Sequence, residues 1–90
     1  MPLLGGAKIK NKVLVLVYVP ALSDEYSVFI PIGKTIGAVK KVMMDVIGDF
    51  SGQQLQKEMK LLDRETNNLY ENDMIVKNTG IKNGTRLLLI

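Results

Sequence analysis

Few residues in this sequence could do covalent or proton-transfer chemistry. The 90-residue chain contains neither cysteine nor histidine. That excludes disulfides, thiolate metal sites, redox pairs and a cysteine nucleophile, and it removes the commonest general base and metal ligand. Ser23 stands beside Asp24 but has no base to activate its hydroxyl. Carboxylates pair as Asp24/Glu25, Asp63/Glu65 and Glu71/Asp73, each in a stretch rich in turn residues, where solvated acids are the ordinary finding. Glu71-Asn72-Asp73 has oxygen donors for a weak calcium site, although a polar turn accounts for it more simply. Gly33-Lys34-Thr35 looks like the end of a phosphate loop, yet the spacing G-x-x-x-x-G-K-[ST] requires glycine where Val28 stands. The residues therefore point to a binding protein and not an enzyme, with no cofactor and no metal.

Composition agrees with one folded domain. Hydrophobic residues make up 47% of the chain and charged residues 23%, as in ordinary globular domains and unlike the apolar-poor profile of disordered chains. The length leaves no room for a second core. A net charge of +3 is spread over 12 basic and 9 acidic residues without a long like-charged run, so no nucleic-acid partner is expected. Lys34, Lys40 and Lys41 lack an aromatic stacking platform and read as a solvated helix face. Lys8, Lys10 and Lys12 precede the apolar run Val13 to Leu22, a pattern similar to a signal peptide. Against that, Val13 to Val19 is rich in β-branched residues suited to a central strand, and the run is shorter than the roughly 20 residues a membrane span needs.

The elements that position these residues follow from periodicity. Residues 1–9 contain Gly5-Gly6 and no pattern, and are expected to be a leader preceding a domain over residues 10–90. Lys12 to Val19 is apolar on both faces, with Val13, Val15, Val17 and Val19 on one side and Leu14, Leu16 and Tyr18 on the other. Pro20 to Glu25 supplies a turn, and Tyr26 to Ile30 a second strand ending at Pro31. Thr35 is placed to cap a helix in which Ile36, Val39, Val42, Met43, Val46 and Ile47 recur at helical spacing, with Gly48 as its left-handed end. Asp49 to Glu58 reads as a loop from which Phe50 and Leu55 are expected to tuck under the sheet. Met59 to Leu62 and Leu69-Tyr70 are short strands, and Asn83-Gly84 turns the chain into a last strand, Arg86 to Ile90.

A hairpin, a helix and further strands are most economically arranged with the helix across one face of a mixed sheet, the first and last strands parallel at its centre. The expected class is α+β, a β-grasp of four or five strands. Several motifs resemble the ubiquitin-like superfamily. Lys34-Thr35-Ile36-Gly37-Ala38-Val39-Lys40 looks like its T-I-x-x-V-K helix opening, and Gly80-Ile81-Lys82-Asn83-Gly84-Thr85-Arg86-Leu87 looks like its closing stretch. The resemblance covers about Lys10 to Ile90. With Tyr70-Glu71-Asn72-Asp73, these features are most similar to the bacterial YukD and EsaB proteins of type VII secretion systems, although Thr85 stands where those proteins usually carry an acid. The resemblance implies a cytoplasmic, non-conjugated accessory component whose partner is a protein, including a membrane-associated secretion component.

Conjugation and sulfur transfer in this superfamily activate a flexible C-terminal Gly-Gly carboxylate, whereas this sequence closes with Leu87-Leu88-Leu89-Ile90. A carrier whose tail is missing from this chain is the alternative reading. By analogy with ubiquitin-like domains, Leu87 and Leu89 match core positions and Leu88 and Ile90 outward ones. With Leu62 on the neighbouring strand, and Lys60 and Arg86 at its edge, the outward pair is expected to form an apolar protein-binding patch. Packing under the Asp49 to Glu58 loop or the leader is the plainer explanation of the same residues. A homodimer through the open face is another way of covering it.

Overall fold

The computed structural model describes residues 11–55 and 58–90; the leader expected over residues 1–9 lies outside them. The first apolar run forms β1 (Lys12–Val19), and a 3-10 turn over Pro20–Leu22 leads into β2 (Asp24–Pro31). Pro20 opens that turn because its fixed φ suits a first helical position, and Ser23 closes it in the left-handed region at φ 53°. The hairpin is longer than Tyr26 to Ile30 suggests, because pairing extends to Val19 opposite Asp24 and Lys12 opposite Pro31.

Thr35 caps α1 (Ile36–Ser51) as expected, its hydroxyl accepting from the Ala38 N–H at 3.2 Å. The chain around Asn72 satisfies the two preceding donors: Ile36 N–H donates to Met74 O at 2.7 Å and Gly37 N–H to Asn72 O at 3.0 Å. Helix starts leave such N–H groups unpaired, so Glu71-Asn72-Asp73 is the strap that closes this helix. Gly37 permits the approach, since a Cβ there would lie 3.3 Å from both Asn72 Cβ and Asn72 O.

Three expectations for the helix are corrected. Gly48 is not its end; α1 continues to Ser51, and Gly52, at φ 72°, is the left-handed cap whose N–H donates to Gly48 O. Gly48 serves packing instead, because a Cβ there would meet Gln53 O at 3.3 Å. Phe50 does not tuck under the sheet but is 82% exposed, whereas Leu55 does pack against the core. Val42 and Val46 lie outside the buried row of Ile36, Val39, Met43 and Ile47. The apolar arc of the helix is wider than the strip of sheet that covers it.

The later strands are shorter than their sequence suggests. β3 is Leu61–Asp63, Leu69 makes one bridge to Leu62 instead of a strand, and β4 is Arg86–Leu89. The sheet order is β2-β1-β4-β3, with β1 and β4 parallel at the centre and both outer pairings antiparallel. The turn before β4 docks on β1: Leu14 N–H donates to Asn83 Oδ1 and Gly84 N–H to Leu14 O, both at 2.7 Å. Of that Asn-Gly pair only Gly84 takes a positive φ, 87°, as at the third position of a type II turn.

The helix covers the sheet face made of Val15, Val17, Val19, Val28, Ile30, Leu61, Leu87 and Leu89, all buried. This is the expected four-stranded α+β arrangement.

Candidate protein-interaction surface

The alternation that buries Leu87 and Leu89 turns Leu88 and Ile90 away from the helix. Leu88 is half-buried and Ile90 exposed. Leu62 pairs with Leu88 across β3 and β4, and Tyr18 pairs with Leu88 on the other side, so one row runs Leu62, Leu88, Tyr18, Glu25. The next row runs Arg86, Leu16, Ser27, with Arg64 beside Arg86 through an Arg64 N–H to Arg86 O bond of 3.0 Å. Leu14 and Phe29 form a third pair. Lys60 stands opposite Ile90, their backbones exchanging bonds of 2.6 and 2.9 Å. The five residues expected from the sequence, Lys60, Leu62, Arg86, Leu88 and Ile90, thus lie together on one face.

That face is larger than expected. Leu14, Leu16 and Tyr18 belong to it and Phe29 extends it to β2, placing the open alternative for β1 on the leucine and tyrosine side. Leu14, Leu16, Tyr18, Leu62 and Leu88 are half-buried, which is a high apolar content for a face that no described element covers.

A charged pair on this face has no counterpart among the local sequence patterns. Arg64 Nη2 donates to Glu25 Oε2 at 2.6 Å, and its guanidinium carbon lies 5.8 Å from the centre of the Tyr18 ring. Turning toward Glu25 carries the guanidinium past Leu16 O, at 3.5 Å, and lays it over the aromatic face of Tyr18. Arg64 Nε is buried without a hydrogen-bond partner among the described residues. Since 39 residues separate Arg64 from Glu25, no local pattern could reveal the pair.

The loop after β3 is held by one carboxylate. Asp63 Oδ1 accepts from the N–H groups of Glu65 at 2.8 Å and Thr66 at 3.2 Å, and Oδ2 accepts from the Tyr70 hydroxyl at 3.3 Å. The Glu65 N–H leads in holding the Asp63 carboxyl below its ordinary value, against a smaller opposing effect of burial and with help from Thr66 and Tyr70. Burial, and then the Asp63 charge, push the Tyr70 phenol up to about 12. Both shifts follow from the hydrogen bonds and burial that hold this turn. Among the described residues no group of three or more carboxylates is placed to hold a metal ion, and no helix is long and apolar enough to cross a membrane.

No protein-family model matches the sequence, and neither does any curated protein. Solved structures do resemble the fold. The C-terminal ubiquitin-like domain of human 2'-5'-oligoadenylate synthetase-like protein is similar with a TM-score of 0.68 at 19% identity, over 93% of this chain and 87% of that one. A chain of an ESX-5 inner membrane complex is similar with a TM-score of 0.73 at 12% identity, over 89% of this chain but 21% of that one. A chain of a toluene 4-monooxygenase complex is similar with a TM-score of 0.72 at 10% identity, over 87% of this chain and 95% of that one. The fold is the ubiquitin-like β-grasp, one helix on a mixed four-stranded sheet. At these identities the likeness establishes the fold alone, a scaffold that hosts several functions.

Proposed function

We propose that this chain is a non-catalytic, non-conjugated ubiquitin-like module that binds a partner protein through its outward sheet face, as an accessory component of a bacterial type VII secretion system. The observation that carries the binding claim is the apolar surface of Leu14, Leu16, Tyr18, Leu62 and Leu88, crossed by the Arg64 side chain and edged by Lys60 and Arg86. An apolar centre with a polar rim is the usual anatomy of a protein interface. Absence of cysteine and histidine supports a non-catalytic role. The secretion pathway is supported by the resemblance to YukD and EsaB proteins, and a membrane-associated partner by the likeness to part of an inner membrane complex. The protein acts in the cytoplasm on this reading.

The test pairs this protein with the soluble domains of type VII secretion components from the same genome, by titration calorimetry. Leu88→Asp is expected to weaken binding at least about tenfold while the fold persists, as loss of a central apolar anchor does. Unchanged binding would remove the outward face as the site. Failure of every secretion component to bind wild-type protein would remove the pathway.

A further inference from the structure

A second surface lies where α1 meets the chain entering β3, apart from the outward sheet face and touching it only at Lys60. Gly37, Lys40, Lys41 and Met44 stand three or four residues apart and so share one side of α1. Lys40 shows which way that side faces, because its Nζ donates to Met59 O at 2.7 Å. Lys40 is half-buried, and is not the solvated helix lysine that its sequence suggests.

Between these segments runs a groove of about 590 Å³, lined by Lys40, Lys41, Met44, Glu58, Lys60 and Asn72 among others. A smaller hollow of about 190 Å³ is lined by Lys40, Lys60 and Asn72 again, and by Leu69 and Glu71. The shared residues join the two into one channel. Lys40 and Lys60 stand at its middle, half-buried Met44 toward one end and Leu69, 45% exposed, toward the other.

The channel carries unspent positive charge. In the larger part three lysines against Glu58 leave two charges in excess; Glu71 lines the smaller part. Neither glutamate pairs with a lysine, for among the described residues the ion pair formed is Arg64–Glu25. Residues 1–10, 56 and 57, which lie outside the described ones, include no Asp or Glu. An ammonium group lodged in a groove attracts an anion more strongly than one in open water, because the surrounding dielectric constant is lower. The larger part has no aromatic ring on which a nucleic-acid base could stack, and the apolar side chains at its ends suit a protein.

We infer that this channel takes an acidic segment of a partner protein, in which paired carboxylates are flanked by apolar residues. The carboxylates meet Lys40, Lys41 and Lys60, and the flanking residues reach Met44 and Leu69. This contact is separate from the one on the outward face, so a partner can hold either or both.

The probe is the acetylated, amidated peptide Leu-Ser-Glu-Glu-Ser-Leu, compared with its Gln-Gln counterpart, each titrated into the full chain and followed by amide and methyl NMR shifts. The acidic peptide is expected to shift the Lys40, Lys41 and Lys60 amides and the Met44 methyl. It should bind about fivefold more tightly than the neutral one, the size two partly exposed charge pairs supply, and that margin should shrink with added salt. Lys41→Glu, at an exposed position, cancels the charge excess and should erase the preference without altering the core resonances of Val39 and Leu61. Four results would overturn the inference: no shift with either peptide, equal affinity for both, shifts confined to Leu16 and Leu88, which assign the peptide to the outward face, or concentration-dependent shifts at Lys41 and Met44 without peptide, which assign the channel to a second copy.

Discussion

The two faces of one sheet are built from nearly the same residue types and meet opposite surroundings. On β1, Val15, Val17 and Val19 are fully buried beneath α1, whereas Leu14, Leu16 and Tyr18, one step out of phase, are half-buried on the other side. On β4 the same division separates Leu87 and Leu89 from Leu88. An ordinary one-sided sheet turns polar residues to water. Apolar character on the inner face is accounted for by the helix, while on the outer face no described element accounts for it.

Cutting back one leucine on each face gives the largest contrast. Leu87→Ala is expected to cost about 2–5 kcal/mol, the range for truncating a fully buried leucine, while Leu88→Ala costs about 1 kcal/mol because half-exposed surface returns less on burial. Urea denaturation of the two variants measures this, and equal losses would mean that the outer face is as much core as the inner.

The helix end offers the next contrast. Gly52→Ala should destabilise by about 1 kcal/mol because its φ of 72° is left-handed. At Gly48 the gain of about 1 kcal/mol from helix propensity is offset by a Cβ only 3.3 Å from Gln53 O, so Gly48→Ala should change stability less. The reverse order in thermal melts would return the cap to Gly48.

A smaller effect separates the inner rim by pH. Folding lowers the Asp63 value, so its contribution is present above the ordinary 3.8 and is lost as pH falls through the lower folded value. The Tyr70 value rises from 10.0 to about 12, so its contribution is complete below pH 10.0 and is lost as pH rises through about 12. In denaturation series at stepped pH, Asp63→Asn should flatten the acid limb and Tyr70→Phe the alkaline one, with the pH dependence between those limbs unchanged by either.

The smallest expected effect is on the outer face. Both side chains of the Arg64–Glu25 pair are partly exposed, at 27% and 45%, and such pairs are worth about 0.2–1 kcal/mol. A double-mutant cycle with Arg64→Met and Glu25→Gln should return a coupling in that range, shrinking with added salt. A coupling several times larger would make the pair a structural strut of the outer face.

Much of this molecule was legible in local pattern, because local pattern carried the cause. The doubly apolar run over β1, the proline-bounded second strand and the Thr35 cap follow from alternation, backbone restriction and the donors a helix leaves free. Resemblance in turn separated Leu87 and Leu89 from Leu88 and Ile90. A glycine inside a helix and one ending it look alike in sequence, so the choice between Gly48 and Gly52 depended on which backbone another segment approaches. The width of an apolar helical arc is likewise readable, but not how much of it a sheet will cover, which left Val42, Val46 and Phe50 in the open. Local residue pattern is enough to set the strand and helix types and which residues alternate. Which alternate becomes core, how Arg64 reaches Glu25, and which strands lie outermost in the sheet are decided by tertiary structure, because those outcomes depend on contacts between residues tens of positions apart.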